Sequence, residues 1–192
     1  MKKIFVIAIA ALATLTASAQ NFGRVNFSEL VALMPEMDKA REVIAASQKE
    51  AEETYSAMVE EYQSKLTQYQ QKQASWTAAI RESKERELYD MQNRIQEFQN
   101  NISQELQQQQ NQLQAPIYEK ANNTVKELAK AKGLVVLFDT TQALYFDEAA
   151  VVDLTAEARK ALGIAEDRTL EALQAELQAQ AQAAAPAAPA AQ

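Results

Sequence analysis

Residues 78–91 read AAIRESKERELYDM. They interrupt a long stretch with helical composition. An apolar stripe enters at Ile80 and leaves at Leu88, and Arg81 to Glu87 between them are all polar, with no Gly or Pro. The run is either the exposed middle of one long rod or the tip of a hairpin. The flanking stripes favour the hairpin. On the N-terminal side, Tyr55, Val59, Tyr62, Leu66, Tyr69, Gln73, Trp76 and Ile80 step by alternating fours and threes. That is a heptad seam with one polar member. On the C-terminal side, Leu88, Met91, Ile95, Phe98, Ile102, Leu106, Gln109 and Leu113 repeat it with one extra four. The two stripes are near mirror images about Lys84. Ile80 then faces Leu88, Leu66 faces Ile102 and Tyr55 faces Leu113. Antiparallel arms need this symmetry to align their layers, and a straight rod does not. The spacing therefore predicts a helical hairpin arm over 49–116 with its tip near 81–87, each helix rising roughly 50 Å at 1.5 Å per residue.

The chain's start reads as an export leader over 1–19. Lys2 and Lys3 precede an apolar run from Ile4 to Leu15, and Ala17-Ser18-Ala19 is a small-residue cleavage signal. Cleavage after Ala19 leaves Gln20 first and marks the chain as exported. The run is shorter than the roughly 20 residues that span a bilayer, and no later stretch is as apolar, so no stable membrane insertion is expected. Loss of two lysines leaves 17 basic against 26 acidic side chains, a net charge of −9. Such a chain gains nothing from a phosphate backbone, which excludes nucleic acid as a partner. It also gains nothing from anionic lipid.

Composition restricts the chemistry. The chain has no His and no Cys, so the soft metal ligands and the usual nucleophile–base pairs are missing. Its glycines are Gly23, Gly133 and Gly163, too few for a phosphate-cradling loop. No catalytic residue, cofactor or metal is expected. Carboxylate pairs such as Glu52-Glu53 lie among lysines and read as solvated helix faces.

The remaining segments, 20–48 and 117–163, form a β-body with short helices. FGRVNF at 22–27 reads as a strand, Ser28 as the cap of a short helix, and Pro35 as the first turn of the next. Pro116 is expected to kink the returning helix, and Gly133 to end it. Leu134 to Phe138 is apolar on both faces, as in a covered central strand. Asp139 to Gln142 reads as a turn, Ala143 to Phe146 as the partner strand of a hairpin, and Val151-Val152 as a short third piece. Thr155 is expected to cap a helix that Gly163 stops. An Ala/Gln-rich helix follows at 164–184, then a Pro/Ala tail at 185–192 whose composition is that of a disordered segment. About 70 body residues without a disulfide make a small core. Association of several copies through the sheets is expected to complete it. Phe22, Val25, Phe27, Leu134, Val136, Phe138, Leu144 and Phe146 are the candidate oligomer core.

Four features stand in order: a leader, GRVNFSELVALMPE, a long Gln/Glu/Lys hairpin, and PIYEKANNTVKELAKAKGLVVLFDTTQALYFDEAAVVDLT. PIYEKA, KGLVVLFD and the DLT helix start are the most telling. Over residues 22–163 the chain resembles the OmpH-type (Skp) periplasmic chaperone family. The resemblance implies an α+β fold, mainly α, whose small β-body trimerises and whose hairpin arms surround a central cavity. It implies location in the periplasm and an ATP-independent holdase for unfolded outer-membrane proteins, with no catalytic residues. Large adaptable side chains on the arm are the candidate client contacts: Met58 and Tyr89, which lie off the strict seam, and Tyr62, Tyr69, Trp76 and Phe98 within or beside it. Two features depart from the family: well-known members are strongly basic where this chain is acidic, and the extension after Gly163 lies outside the family core. The competing reading is a structural coiled-coil envelope protein or an adaptor of an export system, which usually needs a larger β-region. An enzyme is the weakest class, since it would have to run on carboxylates, Lys or Tyr alone.

Overall fold

A computed structural model describes residues 21–184. The expected leader and the Pro/Ala tail lie outside these residues. The chain divides into two compact units, an arm over Asp38–Pro116 and a body formed by the segments on either side of it. In chain order the elements are β1 (Phe22–Val25), α1 (Phe27–Leu33), α2 (Pro35–Lys72), a 3-10 turn (Gln73–Ser75), α3 (Ala78–Ala131), β2 (Val136–Asp139), a second 3-10 turn (Glu148–Ala150), β3 (Val151–Asp153), α4 (Thr155–Ala161) and α5 (Leu170–Ala184). The fold is α+β and mainly α.

In the body, β1 is the central strand of a three-stranded parallel sheet ordered β2-β1-β3. Phe22 stands opposite Val136 on one side and Val151 on the other. This corrects the sequence reading twice. Leu134–Phe138 does not give a central strand, since β2 is an edge, and 143–146 form no strand. The turn after β2 is present: the Thr141 and Gln142 amides donate to the Asp139 side chain and carbonyl, at 3.0 and 3.1 Å. The chain does not then return along β2. Phe146 packs on Phe138 with ring centroids 5.4 Å apart, and the Arg24 guanidinium lies 5.0 Å from the Phe146 centroid. Arg24 also pairs with Glu148 at 3.3 Å and Asp153 at 3.0 Å. These contacts carry the chain to the far side of β1, where Val151–Asp153 finds its backbone partners. Gly23 fits where a larger residue would not, because a Cβ there would lie 2.4 Å from Leu134 Cδ1.

The first helix begins two residues earlier than the sequence suggests. Asn26, not Ser28, is its cap: the side-chain oxygen accepts from the Glu29 amide at 3.1 Å, and its nitrogen donates to the Glu29 carboxylate at 2.9 Å. Phe27 is therefore helical, with its ring 6.4 Å from that of Tyr118. Met34 is extended, the conformation forced on a residue before proline, and Pro35 opens α2. The third helix continues through Pro116 as one element, at the loss of the amide that would serve the Gln112 carbonyl. It ends in a Schellman motif. Gly133 is left-handed (φ 65°) and its amide donates to the Lys130 carbonyl, while the Leu134 amide donates to that of Ala129, both at 3.0 Å.

The body core is made by Leu30, Val31 and Leu33 of α1, Met34, Ile117, Ala121 and Val125 of the body segment of α3, and Leu154, Ala158 and Leu162 around α4. Burying a side chain of this size is worth about 1.5–3 kcal/mol. Thr155 opens α4, but Asp153 serves its amide at 2.8 Å, and the Thr155 hydroxyl instead accepts from Asn26 N at 3.2 Å. The last helix is shorter than the expected 164–184. It joins the body by packing against α1 and burying Leu173. Arg159 holds the connection, pairing with Glu29 at 2.8 Å and donating to the carbonyls of Ala165 and Arg168.

Candidate functional site

The arm folds back on itself at QASWT, residues 73–77. Ser75 Oγ donates to the Lys72 carbonyl at 2.8 Å, and Trp76 is extended. Thr77 then starts α3: its carbonyl accepts from the Arg81 amide at 3.0 Å, and its hydroxyl accepts from the Ile80 amide at 3.4 Å. The hairpin is real and its expected tip is not, because 81–87 lie inside α3. The contacts between the helices show the same centre. Lys65 pairs with Glu87 and the Tyr69 hydroxyl donates to Glu85, so the midpoints fall at 76 and 77 rather than 84. Heptad seams look alike after a shift of one heptad, so matching stripes alone cannot choose between these centres. A Thr able to cap the second helix, directly after the seam's Trp76, was the usable local signal.

Around the turn, charge is paired and polar. Lys65 and Lys84 both donate to Glu87, the latter at 2.7 Å, and hold its carboxyl down at about 2. The same bond to Glu87 pushes the Lys65 ammonium up, and the bond to Glu85 pushes the Tyr69 phenol up. Tyr69 and Trp76 pack with ring centroids 6.0 Å apart.

Further from the turn the two helices leave grooves on both faces of the hairpin. One, of 540 Å³, lies between the Ser47–Thr54 side of α2 and the Phe98–Gln112 side of α3. The other, of 620 Å³, includes Gln48, Glu52 and Tyr55. Phe98, Ile102 and Leu106 line both grooves. The reason is in the sequence: α2 offers Ser47, Ala51 and Thr54 opposite this stripe, side chains too small or too polar to cover it. The apolar stripe of α3 is thus only half-buried from Ile95 to Leu113, while Met91 nearer the turn is covered.

The predicted client contacts are scattered by this geometry. Phe98 stands in the grooves and Tyr55 beside it, while Tyr69 and Trp76 sit at the turn. Tyr89 is 64% exposed on the outer surface of α3, and Met58 and Tyr62 are half-buried. Ile102 and Leu106, placed only in the seam by sequence reasoning, share the grooves with Phe98. Of the candidate oligomer core, Val25 is buried in the body's own interior, and Phe27 belongs to α1 rather than the sheet. Phe138 and Phe146 pack on each other, Leu134 lies over Gly23, and Phe22 is half-buried. Val136 and Leu144 are exposed, Leu144 fully, as are Val135, Tyr145 and Val152. Among the described residues no group of side chains is arranged to hold a metal ion, and no helix is long and apolar enough to cross a membrane.

The chain thus inserts a long helical hairpin between β1 and the later strands of a small parallel sheet. The family model described as Outer membrane protein (OmpH-like) matches residues 21–162, and the chain belongs to that family. None of the curated proteins compared with the chain matches it. The match stops at Leu162, so the packed helix α5 lies beyond it.

Proposed function

We propose that this protein is an ATP-independent periplasmic holdase that takes up unfolded outer-membrane proteins between its helical arms and prevents their aggregation in transit. Family membership supports the general role in outer-membrane protein handling. The observation that carries the holdase reading is the half-exposed stripe Phe98-Ile102-Leu106, open on both faces of the hairpin. An unfolded barrel protein exposes apolar strands that aggregate unless covered. A stripe without a partner on its own hairpin offers weak, replaceable contacts to such strands. Tyr89, and Met58, Tyr62, Tyr69 and Trp76 along the arm, add polarizable and aromatic surface.

The working unit in this proposal is a homotrimer joined through the bodies. Among the described residues neither edge of the β2-β1-β3 sheet has a partner strand, and the 143–146 segment holds Leu144 and Tyr145 in solvent. Pairing of this segment and of the sheet edges between copies would bury them. The test dilutes a urea-unfolded outer-membrane protein into buffer with and without the purified chain, with no nucleotide. Light scattering should be suppressed at one trimer per client, and mass measurement should give three copies with one client. Unchanged scattering would sink the reading.

A further inference from the structure

Resting on the holdase reading, we propose that the arm grooves prefer cationic apolar segments of unfolded polypeptide over neutral or acidic ones. The grooves combine two features. Their floor is the stripe Phe98-Ile102-Leu106, and their charged walls are acidic. Glu50 and Glu105 line one groove, and Glu52 lines the other. Among the described residues, no lysine or arginine lines either one.

Several basic residues of the arm are engaged elsewhere. Lys49, the neighbour of Glu50, pairs with Glu53. Lys65 and Lys84 pair with Glu87, and Arg86 with Glu82. Among the described residues, none pairs with Glu50, Glu52 or Glu105. Glu50 and Glu52 are two residues apart on a helix, so they point to opposite faces and give each groove its own carboxylate.

An extended segment with apolar residues interleaved with Lys or Arg fits this chemistry. Its apolar side chains cover the stripe, and its cations meet carboxylates beside a low-dielectric floor, where a pair gains more than in open water. An acidic segment would bring like charges together. The overall charge of −9 after leader removal acts in the same direction at longer range.

The experiment uses the whole chain from Gln20 and three unstructured fluorescent peptides. They share one apolar pattern and carry Lys, Ser or Glu at the positions between. Binding is read by fluorescence anisotropy at low salt and at about 0.3 M salt, where the screening length falls to about 6 Å and exposed charge pairs weaken. The Lys peptide should bind about tenfold or more tighter than the Glu peptide, with the gap narrowing in salt. A Glu50→Gln, Glu52→Gln, Glu105→Gln variant should lose most of that gap and keep its affinity for the Ser peptide. A control variant, Glu166→Gln, Asp167→Asn, Glu171→Gln, removes the same charge from the body and should keep the gap. Equal binding of Lys and Glu peptides overturns the proposal, and so does an equal loss of preference in both variants. If the Ser peptide binds and aggregation is suppressed, the holdase reading survives that failure. If no peptide binds and no client is protected, both readings fall together.

Discussion

Lys65 of α2 donates a hydrogen bond to Glu87 of α3, and this one pair ties the arm's two helices in a register centred near residue 76. Lys84 adds a second bond, and together they hold the Glu87 carboxyl at about 2 instead of its ordinary value of 4.5. A depressed carboxylate contributes stability that is fully present above its unfolded pKa and lost as pH falls through the folded one. Thermal unfolding of the arm should therefore show the pair's full contribution near neutrality, unchanged with pH there, and lose it between about pH 4.5 and 2. Glu87→Gln should flatten that part of the pH profile. The effect will be modest, because the pair is partly exposed to solvent. Side-chain NMR titration gives the direct check: a Glu87 midpoint near 4.5 would show that the pair does not form in solution.

The register makes a sharper prediction by crosslinking. Cysteines at positions 65 and 87 should be joined within one chain by a short bis-maleimide reagent. Cysteines replacing Ile80 and Leu88 should not form a disulfide, because both lie on α3 eight positions apart, about 12 Å along the axis. A turn at 81–87 gives the opposite pattern. Peptide mapping of the crosslinked protein distinguishes the two.

That pair of experiments also marks how far the sequence could be read. The hairpin was legible because both stripes keep a heptad spacing and no Gly or Pro breaks the chain. The position of the turn was not, because a periodic seam matches itself again one heptad along. The longest polar run then looked like the natural place to turn, yet Arg81 to Glu87 are satisfied on α3 by pairs such as Arg86 with Glu82 and by reaching back to α2. In the body, the β2 turn at Asp139 was legible from its residue types, but the path after it was not. Phe146 stacking on Phe138 and Arg24 pairing with Asp153 join residues far apart in sequence, and no local pattern announces them. The grooves were hidden for a related reason. Phe98, Ile102 and Leu106 look like ordinary seam residues until the register sets Ala51 and its polar neighbours opposite them.

The extension beyond the family match should contribute to folding of the body. Leu173 is 5% exposed, and its helix packs on α1, so Leu173→Ala leaves a cavity in the body. The expected loss is about 2–4 kcal/mol in a denaturant titration followed by circular dichroism. Leu177→Ala, on the same helix but exposed, should cost far less. Equal effects of the two would mean that α5 does not dock in solution.

Gly133 makes the last prediction. It is held at φ 65°, and a Cβ there meets nothing within 4 Å, so any cost of Gly133→Ala comes from the backbone alone. A left-handed alanine is disfavoured by about 1–2 kcal/mol. Gly23→Ala is the complementary case. The backbone there is not left-handed, but the added methyl overlaps Leu134, whose flexible end must shift at a cost of about 1–3 kcal/mol. The two losses separate by rescue. Shortening Leu134 to Ala in the Gly23→Ala background makes room for the methyl, so the double variant should lose less than its single changes do in sum. The same shortening leaves the strain at Gly133 untouched, and there the losses should add. Chemical denaturation of the three single variants and the two doubles reads both outcomes, and additivity at Gly23 would show that the methyl does not meet Leu134.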